Sequence, residues 1–295
     1  MKKKTVSLVL GSGGARGLAH IGVIEQLIDQ DCEIKSISGS SIGALIGGIY
    51  ALDKLDIYKN WVSALRNSDI VRLLDVSFSG NGLFKGERII DVLKELIGDS
   101  LIEDLPIKYS AVAADLNSEK AYWFNEGPLF DAIRASIAIP TVFVPHKYLG
   151  RHFLDGSLVS PIPMTPVLHD NSDLIVAVSL NGQTTVSHQA PVETENNGNR
   201  SRYHERIRQF INSYKNNDKN GKQPGMFEIM NKSLGIMENA LARAQMAHYT
   251  PDILIEIPRS ACGFYEFDRA KELIEIGKNK ARICLGDERI CNVPD

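Results

Sequence analysis

Two short apolar segments each run straight into a glycine-rich turn and then into an amphipathic stretch, and this repeated order constrains the fold more than any other feature. Thr5 to Leu10 is rich in Val and Leu and ends at Gly11-Ser12-Gly13-Gly14, the pattern of a buried central strand entering a tight turn. From Gly17 to Gln30 the residues Leu18, Ile21, Ile24, Leu27 and Ile28 recur at helical spacing and share one face. Glu33 to Ser38 reads as a second strand and Ile42 to Leu52 as a second helix. Strand, helix, strand, helix in this order predicts a mostly parallel sheet covered by helices on both sides, a three-layer α/β/α architecture.

The rest of the chain fits that plan. Glu87 to Ile97 is a helix stopped by Gly98, and Tyr109 to Ala114 with Ala121 to Phe124 forms a strand pair around a polar turn. Leu174 to Leu180 and Ile253 to Ile257 are further strands, the last shut by Pro258. A length of 295 residues suits one α/β domain, 1–295, with its core at about 5–180 and 251–285. Apolar residues make up 43% and charged residues 23%, which excludes a disordered or fibrous chain. Residues 183–225 break the pattern: they are loaded with Asn, Gln, Thr, Ser, Gly and Lys, and read as a polar, flexible insertion.

The lysines after Met1 and the apolar run behind them imitate a signal peptide, but that run dissolves into glycines and meets Arg16, so it reads as the first strand of a cytoplasmic protein. No stretch approaches the roughly 18 apolar residues of a membrane span. Cys32, Cys262, Cys284 and Cys291 form no CxxC pair and read as reduced, buried or incidental thiols. A net charge of -3 gives no bias toward nucleic acid, so no nucleic-acid partner is expected.

Gly39-Ser40-Ser41-Ile42-Gly43 fits G-x-S-x-G between a predicted strand and a predicted helix. Such a turn lifts a serine hydroxyl out of the sheet, the flanking Gly39 and Gly43 avoid Cβ clashes, and the helix N-terminus favours developing negative charge. A nucleophilic serine needs a base, and His20, His146, His152, His169, His188, His204 and His248 are all available. None stands in a recognisable motif, and His248 continues an apolar face with Phe227, Met230, Leu234, Met237 and Leu241, the pattern of a packed helix-end residue. Residue types alone leave the base undecided. The loop from Gly11 to Gly17 lacks the Gly-Lys-Ser/Thr ending of a phosphate loop and has Arg16 where a dinucleotide fingerprint needs its third glycine. An oxyanion loop, whose backbone N–H groups face an acyl oxygen, is the third reading.

Taken together, Gly13-Gly14-Ala15-Arg16-Gly17, Gly39-Ser40-Ser41-Ile42-Gly43, Arg134-Ala135-Ser136-Ile137-Ala138-Ile139-Pro140 and Leu154-Asp155-Gly156-Ser157 resemble the patatin-like phospholipase family in content and order. The resemblance implies a serine esterase or lipid acyl hydrolase of phospholipase A or lysophospholipase type, working without metal or organic cofactor. It implies a Ser-Asp dyad in which Asp155 takes the Ser41 proton, an oxyanion hole from the N–H groups of Gly13, Gly14 and Ala15, support of that loop by Arg16 and Gly17, and Gly156 as a motif glycine. Ser12 and Ser157 depart from it, since the family usually has glycine at the first position and glycine or alanine at the second. The Ser157 hydroxyl is a candidate competitor for the Asp155 carboxylate. An acyltransferase on the same dyad and a regulatory protein with vestigial hydrolysis are the rival readings.

Residues 200–222 carry seven Lys or Arg against two Asp or Glu. Tyr203, Ile207, Phe210, Ile211 and Tyr214 recur at helical spacing among them, the pattern of a short basic amphipathic helix. It reads equally as a lid or docking helix for the anionic inner membrane surface, giving peripheral contact, and as a solvated loop packed on the body or on a second copy in a homo-oligomer.

Overall fold

The computed structural model of the chain describes residues 3–77, 82–182 and 226–286. Strand β1 (Thr5–Leu10) leads through a 3-10 turn (Gly14–Leu18) into α1 (Ala19–Asp29). Then follow β2 (Glu33–Ser40), α2 (Ile42–Ala51), α3 (Leu55–Ala64), α4 (Asn67–Leu73) and α5 (Glu87–Ile97). The middle of the chain supplies β3 (Lys108–Asp115), β4 (Lys120–Phe124), α6 (Leu129–Ser136), β5 (His146–Tyr148) and β6 (Arg151–Asp155). The last elements are β7 (Leu174–Gly182), α7 (Met226–His248), β8 (Ile253–Pro258) and α8 (Ala270–Leu285).

One mixed sheet organises them, in the order β5-β6-β3-β2-β1-β7-β8 with β4 on the outer side of β3. The five strands from β3 to β8 run parallel, whereas β4, β5 and β6 are antiparallel additions at one end. As its Val and Leu content predicts, β1 is central and covered on both faces. Side chains alternate along a strand, so Val6, Leu8 and Leu10 join the large core under α1, α2 and α8, while Val9 packs opposite with Ile162, Met164, Ala177 and Ala242 of α7. The three-layer α/β/α architecture follows from these two faces.

Helices α1 and α8 approach through glycine. A Cβ at Gly22 would collide with the Ile274 carbonyl, and one at Gly277 with the Ala19 carbonyl. The roughly 1 kcal/mol that a mid-helix glycine costs relative to alanine is offset by this close backbone packing.

Two expectations need correction. Helix α7 does not bury the stripe that leads to His248: Met230 and Met237 are 45% and 58% exposed, and His248 is exposed with its ring edge on Tyr249. Its buried contact is made at the small residue Ala242, because that face meets the turn after β6; apolar periodicity locates a stripe without saying what lies against it. Cys32 is disulfide-bonded, while Cys262 and Cys284 are free thiols. A cysteine without a near neighbour of its kind offers no local spacing from which a pairing can be read. The insertion 183–225, with its basic segment 200–222 and His188 and His204, lies outside the described residues, as does Cys291. Among the described residues no helix is long and apolar enough to cross a membrane.

Candidate active site

Strand β3 brings the two ends of the site together. Its residues Lys108 to Val112 include the partners of β2, ending in the pair Ser40↔Val112, and its residues Ala113 to Asp115 pair with β6, where Asp155 stands opposite Ala113. Because β4 occupies the other edge of β3 from Ala111 to Asp115, β2 and β6 lie end to end along one edge. The residue after β2 and the last residue of β6 therefore meet. Ser41 Oγ donates a hydrogen bond to Asp155 Oδ2 at 2.6 Å across 114 positions of sequence, and both residues are buried.

Ser41 sits at φ 55°, ψ -124°, a conformation that costs a side-chain-bearing residue on the order of 1–3 kcal/mol. The surroundings enforce it. A Cβ on Gly39 would lie 2.5 Å from Ala44 N, and one on Gly43 would strike the Leu10 carbonyl, so only glycines let the turn close against the end of β1. The Ser41 carbonyl accepts from Ala44 N at 2.9 Å and starts α2. Its N–H donates to Ser136 Oγ at 2.9 Å, and the Ser136 hydroxyl donates to the Val112 carbonyl at 2.6 Å. Ser136 thus ties the elbow to β3. Ser136→Ala would strand a buried N–H and a buried carbonyl, and a loss of about 1–3 kcal/mol in urea unfolding is expected, with reduced turnover.

Asp155 is held on three sides. Its N–H donates to the Ala138 carbonyl at 3.0 Å, Oδ1 accepts from Ser157 N at 2.8 Å, and Oδ2 accepts from Ser41. Gly156 lets the chain turn here, since a Cβ would collide with the Val112 carbonyl and lie 2.7 Å from Ser40 Oγ. Burial pushes the Asp155 carboxyl up to about 7 against the opposing hydrogen bonds from Ser41 and Ser157, and the nearby charge of Glu238 pushes in the same direction as burial.

The glycine loop lies beside the elbow, because Leu10 pairs with Gly39 and a Cβ on Gly17 would strike the Ile42 side chain. Gly11 N donates to Val178 O and Ser12 N to Pro161 O, which pins the entrance to the loop. Ala15 N donates to Phe264 O at 2.8 Å, so the oxyanion-hole expectation narrows to Gly13 and Gly14, whose N–H groups have no partner among the described residues. Gly14 takes φ +59°, where a Cβ would also stand 2.5 Å from Phe264 O. Arg16 is buried and donates from Nε to Leu180 O at 3.0 Å, bracing the loop against β7. The Ser12 side chain is buried, and its hydroxyl has no partner among the described residues.

No histidine hydrogen-bonds Ser41 among the described residues. His20 is fully buried with Nε2 2.9 Å from the Gly11 carbonyl and is pushed down to about 4 by burial, while His146 pairs with Asp131 at 2.9 Å. His152 and His169 are exposed. Arg134 is buried, donating to the Lys85 and Val144 carbonyls near Glu87, with no hydrogen bond to Ser41 or Asp155 among the described residues. Asp115 closes a turn, accepting from Asn117 N and the Ser118 hydroxyl. Reading residues alone missed Ser136 and Glu238. For Glu238 the available signal was its seven-residue spacing from Gln245 around the small Ala242, a polar face that an apolar search passes over.

The family model for patatin-like phospholipases matches residues 8–168, which include the glycine loop, the elbow and Asp155. An uncharacterized NTE family protein of Mycobacterium bovis is 38% identical over 95% of this chain and 91% of its own length. Lysophospholipase NTE1 of Saccharomyces cerevisiae is 28% identical over 96% of this chain, which spans only 16% of that protein. The solved structure of VipD from Legionella pneumophila aligns over 97% of this chain and 67% of its own with 14% identity and a TM-score of 0.46. With more than half of its length matched by the family model, and with a relative that it matches almost end to end, the chain belongs to the patatin-like phospholipase family.

Proposed function

We propose that this chain is a serine hydrolase that cleaves carboxylic esters of lipids through an acyl-enzyme on Ser41, with Asp155 as the proton acceptor. The observation that carries the reading is the 2.6 Å hydrogen bond from Ser41 Oγ to a buried carboxylate, at a serine held in a strained strand-to-helix turn. As Ser41 Oγ bonds to the ester carbonyl carbon, its proton passes to Asp155. The carbonyl oxygen becomes an oxyanion facing the N–H groups of Gly13 and Gly14, each such donor being worth about 3 kcal/mol to the transition state. Collapse breaks the bond to the leaving alcohol, which takes the proton from Asp155. Water then attacks the acyl-Ser41, gives a proton to Asp155, and the carboxylic acid leaves as Ser41 regains its hydrogen. A lipid substrate is supported by the family and by the lysophospholipase named among the relatives.

The test is hydrolysis of short and long acyl p-nitrophenyl esters together with mass spectrometry after a fluorophosphonate probe. The adduct is expected on Ser41; turnover with the adduct elsewhere sinks the reading. A base must be ionised to act, and Asp155 is pushed up to about 7, so kcat/KM is expected to rise with pH through a midpoint near 7 and then level off. A profile flat down to pH 5 would remove Asp155 as the base.

A further inference from the structure

Helix α7 grips the turn behind the proton acceptor at two points. Glu238 accepts the Ser157 hydroxyl proton at 2.6 Å. Two helical turns on, Gln245 reaches the Val159 carbonyl at 3.4 Å, Ser160 Oγ at 3.2 Å and Ile162 N at 3.4 Å. Positions 238, 242 and 245 share one helical face, with Ala242 buried between the two polar residues.

Ser157 stands between two carboxylates. Its N–H goes to Asp155, and its hydroxyl, which lies close enough to bear on both carboxylates, points its one proton to Glu238. The groups that bear on Asp155 are Ser41, Ser157 and Glu238, and the cations that bear on Glu238 are Arg16 of the glycine loop and Arg259 after β8.

We propose that Glu238 is a positioning residue for the proton acceptor: by drawing the Ser157 hydroxyl to itself it leaves Oδ2 of Asp155 to Ser41. The idea rests on Asp155 being the base of the proposed hydrolysis. With Gln at position 238 the opposing charge is gone. The Ser157 proton then turns to the charged Asp155, because a hydrogen bond to an anion is roughly twice as strong as one to a neutral acceptor. Both changes weaken Asp155 as a base.

The experiment compares the wild type with Glu238→Gln and Ser157→Ala by two readouts. One is the pH profile of kcat/KM on p-nitrophenyl butyrate. The other is the pH dependence of the stability gap between each protein and its own Asp155→Asn counterpart, which titrates Asp155 without any substrate. Glu238→Gln is expected to lower both midpoints by about half a pH unit or more, as loss of a neighbouring like charge does. Ser157→Ala removes a donor that favours the charged form of both carboxylates, so its midpoint is expected at or above that of the wild type. An unmoved midpoint in Glu238→Gln, or a lowered one in Ser157→Ala, overturns the proposal; should Glu238→Gln fail to fold, the Ser157→Ala result decides. A wild type with neither turnover nor a Ser41 adduct sinks the hydrolase reading instead, and the stability titration still judges Glu238.

Discussion

Ser41→Ala is expected to lower kcat/KM on p-nitrophenyl esters by about 10⁴-fold or more, and Asp155→Asn by a similar factor, with both proteins folded. Alanine removes the atom on which the proposed acyl bond forms. Asparagine keeps the shape of the carboxylate but reverses the chemistry: its amide donates to Ser41 Oγ where Asp155 Oδ2 accepts at 2.6 Å, and it takes up no proton from the attacking hydroxyl. In the proposed mechanism one group makes the bond and the other receives its proton in the same step, so the double variant is expected to be little worse than either single one. Residual hydrolysis within tenfold of the wild type in Asp155→Asn, with circular dichroism unchanged, would assign the proton to another acceptor.

The same Asp155→Asn change is expected to stabilise the protein at alkaline pH. The folded carboxyl titrates near 7 against an ordinary value of 3.8, because burial penalises its charged form. For a group whose folded value is raised, the stability it contributes is complete below the unfolded value and is lost as pH rises through the folded one. Above pH 7 the wild type therefore carries a buried negative charge that asparagine lacks. About three units correspond to on the order of 4 kcal/mol, an upper figure because the amide must be seated among the same partners. Denaturant unfolding at pH 8 is expected to show Asp155→Asn the more stable, with the gap closing toward pH 4. Equal stability at both pH values would mean that the carboxyl is not strained by burial. The two results together would describe a residue that the proposed function keeps charged at the expense of stability.

Much of the frame was legible from neighbours along the chain. The Val and Leu run of Thr5–Leu10 had to be covered on both faces, and β1 lies between β2 and β7. Gly39 and Gly43 around Ser41 marked a turn too tight for side chains, and each glycine faces backbone closer than a Cβ tolerates. Other assignments depended on surfaces that the chain does not announce. Met230 and Met237 have helical spacing but are exposed, while Ala242 makes the buried contact with Val9, Ile162 and Met164. Ser136 was one small residue in a quoted segment, and its hold on Ser41 N exists because α6 ends beside the elbow.

The sequence by itself determined the alternation of strands and helices, the glycine turns and the identity of the candidate nucleophile, because these depend on side-chain periodicity and on backbone conformations that neighbouring residues set. Only the tertiary structure decided which N–H groups of the glycine loop lack a partner among the described residues, that Ser157 turns its hydroxyl to Glu238, and that Asp155 meets Ser41. Those facts depend on burial and on contacts between distant residues. Two strands sharing one edge of β3 create a contact across 114 positions that no local pattern encodes.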